Sequence, residues 1–235
     1  MAQQNNFGEI AFAGREIEGP YPAAVIAGMI PEWVASVLDV GCGKGAVLKI
    51  LGRPGIGVDL NQASILIARD QVENCEFIAG PAKEVLPTLI LRPDLIVNLG
   101  ASQAIGTPSE ALEYFASLLT PGKLLLFGDG IWDKAPAQSY LDFLGVKQSD
   151  LGTFAEFQQA GLSHGLRPLS AYHSTQADWD SFEDHYYETL IRWCDKNPDD
   201  PDSEPFRARM TKWREAYLTE GRGTLGFAIV LFEKV

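Results

Sequence analysis

From Ser36 to about Gly161 the chain alternates short apolar runs with segments of helical periodicity, and no other feature constrains its fold as much. Strands that alternate with helices connect by right-handed crossovers, so they lie side by side in a mostly parallel sheet covered on both faces. Residues 36–40, 56–59, 76–78, 94–99 and 123–127 are predicted as the first five strands. Asn61 stands where it can cap the helix that carries Ile65, Leu66 and Ala68. Thr107, Pro108 and Glu110 mark a helix start, with threonine at the cap, proline at the first helical position and glutamate closing a capping box. Thr153 and Glu156 predict a second capping box, and Gly161 is expected to end its helix.

The last third changes character. Residues 166–174 and 224–233 are predicted as two further strands, with two helices between them. The first helix carries Trp179, Phe182, Tyr186, Leu190 and Trp193 at steps of three and four, and the second carries Phe206, Met210, Trp213 and Tyr217. Such spacing gives each helix an aromatic stripe. Core packing explains such stripes, and so does a wall of a substrate pocket. The linker 197–203 breaks helix, and Ser203 is placed to cap the second one.

Charge narrows the function. The 235 residues include 31 acidic and 19 basic side chains, a formal charge of −12. Nucleic-acid binding normally shows a basic patch, so nucleic acid is not the expected substrate, and an anionic membrane surface is disfavoured for the same reason. No stretch approaches the apolar length of a membrane span, and the N-terminus lacks the basic and apolar segments of a signal peptide. The cysteines, Cys42, Cys75 and Cys194, are few and odd in number, which suits a reducing cytoplasm. None has zinc-ligand spacing, and no metal is expected.

The chemistry concentrates in residues 37–48, VLDVGCGKGAVL. A strand ends in Asp39, and Gly41, Gly43 and Gly45 follow at alternate positions. Glycines there let the backbone approach a ligand that a Cβ would exclude, and the next helix opens with free N–H groups. Asp59 ends the following strand, where an acid can accept both hydroxyls of a ribose. The loop also fits a dinucleotide pattern through Ala46. Asp39 separates the two readings, because a carboxylate repels a pyrophosphate and suits an ammonium.

These residues resemble a known family. LDVGCGKG is similar to the first motif of class I S-adenosylmethionine-dependent methyltransferases, and GVDLN (residues 57–61) to their second-strand acid motif. Residues 94–106 and 119–132 resemble their fourth- and fifth-strand regions. The resemblance implies a Rossmann-like, seven-stranded, mostly parallel α/β sheet with an antiparallel last strand, helices on both faces and a small helical cap. It implies one domain, with residues 1–35 as an N-terminal lid segment, 36–175 and 223–235 as core, and 176–222 as the cap insertion.

The resemblance also assigns the cofactor, S-adenosylmethionine. Asp39, Gly41, Cys42, Gly43 and Gly45 would hold its methionine end, Asp59 its ribose and Leu60 its adenine. Leu99 and Gly100 would line the methionine side. Gly80, Pro81 and Ala82 occupy the adenine loop, and Pro81 departs from the family, which often has an acid there.

Methyl transfer mainly needs alignment and exclusion of water, with a base only where the acceptor must lose a proton. Asp129 and His185 are the candidates for that base, ahead of His164 and His173. Tyr21, Trp132 and Tyr186 are the candidate substrate contacts. Cys42 is expected to pack beside the cofactor and not to act as a nucleophile. The function that follows is methyl transfer to a small molecule. Two alternatives stay open on the sequence alone: a non-catalytic S-adenosylmethionine-binding or interaction protein on this fold, and a nucleotide-cofactor oxidoreductase.

Overall fold

A computed structural model describes residues 7–89 and 92–235, so the first six residues of the expected lid segment lie outside the described residues. The strands are β1 (Val37–Val40), β2 (Gly55–Asp59), β3 (Cys75–Ala79), β4 (Leu95–Leu99), β5 (Leu124–Trp132), β6 (Leu166–His173) and β7 (Leu225–Lys234). The helices are α1 (Phe7–Ala11), α2 (Ala23–Met29), α3 (Ala46–Leu51), α4 (Gln62–Gln71), α5 (Ala82–Val85), α6 (Pro108–Leu118), α7 (Gln138–Leu144), α8 (Phe154–Ala160), α9 (Gln176–Lys196) and α10 (Ser203–Ala216). They form two compact units. One comprises Pro22–Trp132, Ser149–His173 and Phe227–Val235, and is built on the sheet. The other comprises Met1–Tyr21, Asp133–Gln148 and Ser174–Gly226, and is helical.

The sheet runs β3-β2-β1-β4-β5-β7-β6. Strands β3, β2, β1, β4 and β5 pair in parallel, and β6 pairs antiparallel with β7. The seven-stranded, mostly parallel architecture expected from the sequence is therefore present. All four residues of β1 are buried, which suits a strand in the middle of a parallel sheet. The order reverses between β1 and β4, and such a switch point opens a crevice at the carboxyl ends of the strands. The core below packs Leu38, Val40, Ile96, Phe115, Leu125, Phe127, Val230 and Phe232 together.

Local signals account for most element ends. Asn61 Oδ1 accepts from the N–H of Ala63 at 2.9 Å and of Ser64 at 3.2 Å, capping α4. Both predicted capping boxes form, Thr107 with Glu110 and Thr153 with Glu156. A third, Thr175 with Asp178, starts α9. It escapes the sequence reading because aspartate replaces the usual glutamate or glutamine.

Gly161 ends α8 as expected, as its C-cap, although in a right-handed conformation. The chain continues through a 3₁₀ turn, and Gly165 at φ +69° ends that turn in the left-handed conformation. A Cβ at Gly161 would lie 2.6 Å from the Phe232 ring. Two local expectations need correction. Ser203 does not cap α10 but is its first residue, because its hydroxyl donates back to the Asn197 carbonyl in the linker. Strand β5 does not stop at Phe127 but runs on through Gly128, Asp129 and Gly130 to Trp132. A side chain at Gly128 would meet the Ala228 carbonyl of β7 at 3.0 Å and Leu99 of β4 at 2.8 Å, so glycine here permits a close approach within a strand.

The helical unit has its own core. Ala11, Leu190, Cys194 and Met210 are buried, with Phe7, Tyr186, Trp193, Phe206 and Trp213 packed against them. Polar bonds pin α9 to the end of α10. Arg222 grips Asp180 with two hydrogen bonds of 2.8 and 2.9 Å, and the Tyr217 hydroxyl donates to Asp180 at 2.7 Å. Among the described residues, no helix is long and apolar enough to cross a membrane.

Candidate functional site

The site grows from the carboxyl ends of β1, β2, β4 and β5, four strands that the sheet order brings together. Beyond β1 the glycine loop turns back on β2, as the N–H groups of Gly41 and Cys42 donate to the Val58 carbonyl at 2.8 and 3.2 Å. The glycines differ in what they permit. Gly41 adopts φ +79°, and a Cβ there would lie 2.3 Å from that of Ala101. Gly43 adopts φ +51°, and a Cβ would meet nothing within 4 Å. Gly41 thus serves the protein's own packing, whereas Gly43 leaves open space beside the backbone.

Asp59 organises this loop. Its Oδ2 accepts from the Gly43 N–H at 2.8 Å and its Oδ1 from the Asn61 N–H at 2.8 Å. A carboxylate keeps further lone pairs after two such bonds. The next residue, Leu60, is 73% exposed, an apolar surface beside a polar loop. Pro81 heads α5 at φ −61°, and the Gly80 N–H donates to the Asp59 carbonyl at 2.9 Å. Ala82 turns its side chain into the hydrophobic core with Val58 and Leu86, so only its backbone is available to a ligand.

Asp39 is 2% exposed, and its Oδ2 has no hydrogen-bond partner among the described residues. Burial, reinforced by the charge of Asp59, pushes its carboxyl up to about 7. Burial and both acids also push the Cys42 thiol well above its ordinary range, which keeps it protonated. The Cys42 sulfur fills the place beside Gly57, where a Cβ would lie 2.7 Å from it. That is packing, in line with a thiol that does not react.

The sequence reading missed Asn98. This fully buried residue of β4 donates through Nδ2 to the carbonyls of Val40 at 2.9 Å and Ala101 at 3.1 Å. Two carbonyl partners fix the amide's orientation, so the atom left without a partner is the acceptor Oδ1. A polar residue inside the apolar run LIVNL was the available signal.

Asp129 lies in β5 with its Oδ1 accepting from the Gly130 N–H at 2.7 Å and with the Ser102 hydroxyl as a further donor to its carboxylate. Burial raises its pKa, against the Ser102 hydroxyl and the Gly130 N–H, which favour the anion. Leu99 and Gly100 end β4, and the Gly100 N–H donates to the Gly128 carbonyl at 2.7 Å. Trp132 ends β5 and is buried.

The remaining candidates belong to the helical unit. Tyr21 is buried, with its ring against Gly19. Tyr186 packs among Phe7, Phe12, Phe182 and Trp213. His185 Nε2 lies 3.1 Å from the Ala13 carbonyl. A carbonyl only accepts, so Nε2 carries the proton of that bond and Nδ1 is left as the nitrogen able to take another.

Two buried oxygens, Asp39 Oδ2 and Asn98 Oδ1, therefore stand without donors among the described residues near the carboxyl ends of β1 and β4. Both are acceptors, which fits a ligand rich in donors and positive charge and repels a pyrophosphate. With the open backbone at Gly43, the arrangement fits the ammonium-bearing, sulfonium-charged methionine end of an adenosyl cofactor.

A sequence model of the methyltransferase domain family matches residues 34–158. The chain belongs to this family. It is a class I S-adenosylmethionine-dependent methyltransferase, with S-adenosylmethionine as its cofactor. The methyltransferase is similar to the crystal structure of a SAM-dependent methyltransferase from Thiobacillus denitrificans in complex with S-adenosyl-L-homocysteine. The TM-score is 0.87 and the identity 26%, over 99% of both chains. It is also 26% identical to the uncharacterized protein YjhP of Escherichia coli over 205 residues, 82% of each chain. A ubiquinone biosynthesis O-methyltransferase of Acinetobacter baylyi is 27% identical over 99 residues, covering 39% of this chain and 42% of that one.

Proposed function

We propose that this methyltransferase acts in the cytoplasm on a small-molecule acceptor and holds its cofactor at the carboxyl ends of β1, β2 and β4. The unpartnered Oδ2 of buried Asp39 carries the reading. A buried carboxylate without a donor is costly, and an ammonium relieves that cost. Asp39 binds the cofactor's amino group, and Asn98 Oδ1 supports the same end. Gly41, Gly43 and Gly45 let the loop backbone come close, with Cys42 packed behind it. Asp59 accepts from the ribose hydroxyls while keeping its hold on Gly43. Leu60 lies against the adenine, with Pro81 and the Ala82 backbone at its edge. Leu99 and Gly100 line the approach to the sulfur.

When bound, S-adenosylmethionine supplies a methyl group activated by a sulfonium leaving group. The protein's share is to align the acceptor and keep water out. Trp132, at the end of β5 in the sheet unit, is the aromatic candidate for holding an acceptor. A net charge of −12 favours a neutral or cationic acceptor over a nucleic acid. The three free thiols, Cys42, Cys75 and Cys194, suit a reducing compartment. The Acinetobacter relative's name as a ubiquinone biosynthesis O-methyltransferase supports an oxygen acceptor in a small molecule.

Calorimetric titration with S-adenosylhomocysteine tests the cofactor half. Binding is expected, none is expected with NAD, and Asp39→Asn should remove most of the affinity. Full affinity in that variant would overturn the assignment. Label transfer from methyl-labelled S-adenosylmethionine into a low-molecular-weight cell extract tests the acceptor half.

A further inference from the structure

Two donors in the helical unit have nothing to donate to. The Trp179 indole N–H and the Ser174 hydroxyl belong to residues that are 9% and 5% exposed, and neither group has a hydrogen-bond partner among the described residues. Natural proteins seldom leave such groups unpaired. Trp213, in the same unit, shows the ordinary case, since its indole N–H donates to Glu183 at 2.8 Å. The capping box explains why the two lone donors stand together. Thr175 caps α9 with Asp178 at the third helical position, so Ser174 is the residue before the cap and Trp179 the fourth residue of the helix. Side chains at these two positions pack against each other in a capped helix. Of residues 174–179 only these two are buried, so both face inward.

The group that satisfies them has two lone pairs and no hydrogen of its own. An indole N–H only donates, and a water molecule brings two further hydrogens that need acceptors. A carbonyl oxygen offers one lone pair to each donor. A carboxylate fits less well, because two neutral donors do not offset the desolvation of a buried anion. Arg15 does not change this. Its guanidinium lies 5.3 Å from the centre of the Phe182 ring, but it donates to the carbonyls of Ile17, Gly19 and Ser181, and Asp178 counters its charge.

The rings beside the donors indicate what carries the carbonyl. Trp179 meets Phe182 edge to face at 5.9 Å, and Phe182 stacks with Phe12 at 5.7 Å and with Tyr186 at 6.2 Å. Phe182 is only half-buried, so apolar ring surface reaches solvent next to the two donors. Such a surface suits a flat apolar group.

We propose that the start of α9 is a binding site for a neutral aryl carbonyl compound, an aromatic ketone or amide, whose oxygen accepts from Trp179 Nε1 and Ser174 Oγ while its ring lies along Phe182. The site lies wholly within the helical unit and does not rest on the cofactor reading.

The experiment follows the indole N–H signals of the full, isotopically labelled chain by nuclear magnetic resonance. The probes are acetophenone, ethylbenzene, which has the same ring and no oxygen, and benzoate. The Trp179 signal is identified by its loss in Trp179→Phe, and the signals of the remaining tryptophans show that this variant is folded. Acetophenone should move the Trp179 signal downfield, ethylbenzene should not, and benzoate should bind more weakly than acetophenone. Ser174→Ala should weaken acetophenone binding about five- to tenfold, the loss of one hydrogen bond. In the free protein it should leave the midpoint of thermal unfolding unchanged or raised, because the hydroxyl it removes has no partner. A Trp179 signal that no probe moves, or that acetophenone and ethylbenzene move alike, overturns the proposal. So does a lower unfolding midpoint in Ser174→Ala, which would show that the hydroxyl is already bonded. Tighter binding of benzoate than of acetophenone overturns the assignment to a neutral carbonyl.

Discussion

The sheet unit and the helical unit each bury one carboxyl whose pKa is pushed up to about 7, and the two cases mean different things. Burial is the main cause at both Asp39 and Glu183. Glu183 has an answer inside its own unit: its Oε2 accepts from the Trp213 indole N–H at 2.8 Å, and Arg214 adds a favourable charge. Asp39 Oδ2 has no such donor, and its charged neighbour, Asp59, is of the same sign. A perturbed acid is therefore a poor guide to function on its own. The missing partner is the better guide, because a satisfied buried acid is architecture and an unsatisfied one waits for a ligand.

Substitutions can break this contrast, and the largest effect belongs to the loop. Gly43→Val should abolish measurable S-adenosylhomocysteine binding in calorimetry. Gly52→Val, in the same unit, is the control. It also has positive φ and open space around it, so it carries a similar backbone strain but should bind normally. Equal binding by both variants would reduce the loop to a turn.

Next comes Asp39→Asn. Loss of a charge-assisted hydrogen bond of about 1.5–3 kcal/mol should weaken binding roughly ten- to hundredfold. The free protein should become more stable at pH 8, because it no longer buries a charge. Asp59→Ala should weaken binding by at least about tenfold. Glu183→Gln should leave cofactor affinity unaltered, since an amide oxygen still accepts from Trp213. Glu183→Ala should instead strand the indole N–H and cost about 1–3 kcal/mol in denaturant unfolding. A cofactor defect in Glu183→Gln would erase the distinction between the two acids.

The smallest effect is in the pH dependence. Both acids have folded pKa values above the ordinary 3.8 and 4.5, so the unfolded chain releases these protons first as pH rises. Their contribution to stability is complete below about pH 4 and is lost as pH climbs through about 7. Thermal unfolding of the free protein should therefore show a decline over that window. Saturating S-adenosylhomocysteine should flatten the part due to Asp39 and leave the part due to Glu183. Cofactor affinity should rise over the same window, as Asp39 becomes an anion.

Most of the sheet unit was legible because its signals are local. The strand–glycine–helix unit at Asp39, the Asn61 cap and the capping boxes at Thr107 and Thr153 each depend on residues a few positions apart. What escaped depends on distant neighbours. Asn98 matters because Val40, 58 residues away, lends it a carbonyl. The extension of β5 through Gly128 depends on β7, a hundred residues later, coming close enough to exclude a side chain. Asp129 was singled out in the sequence as a residue after the strand, but its place inside the strand could not be read there. Likewise, Asp133–Gln148 groups with helices from both ends of the chain, a fact of packing that no local pattern encodes.

The bond from the Gly43 N–H to Asp59 has a further consequence for how the cofactor is received. The side chain assigned to the ribose already holds the loop assigned to the methionine end, so both halves of the cradle are shaped before anything enters. Preorganisation of this kind lowers the entropic penalty of association. The same stitch couples the two ends of the ligand through the protein. An adenosine fragment that competes for Asp59 loosens or tightens the loop that a methionine fragment would use, so the two fragments should not bind independently.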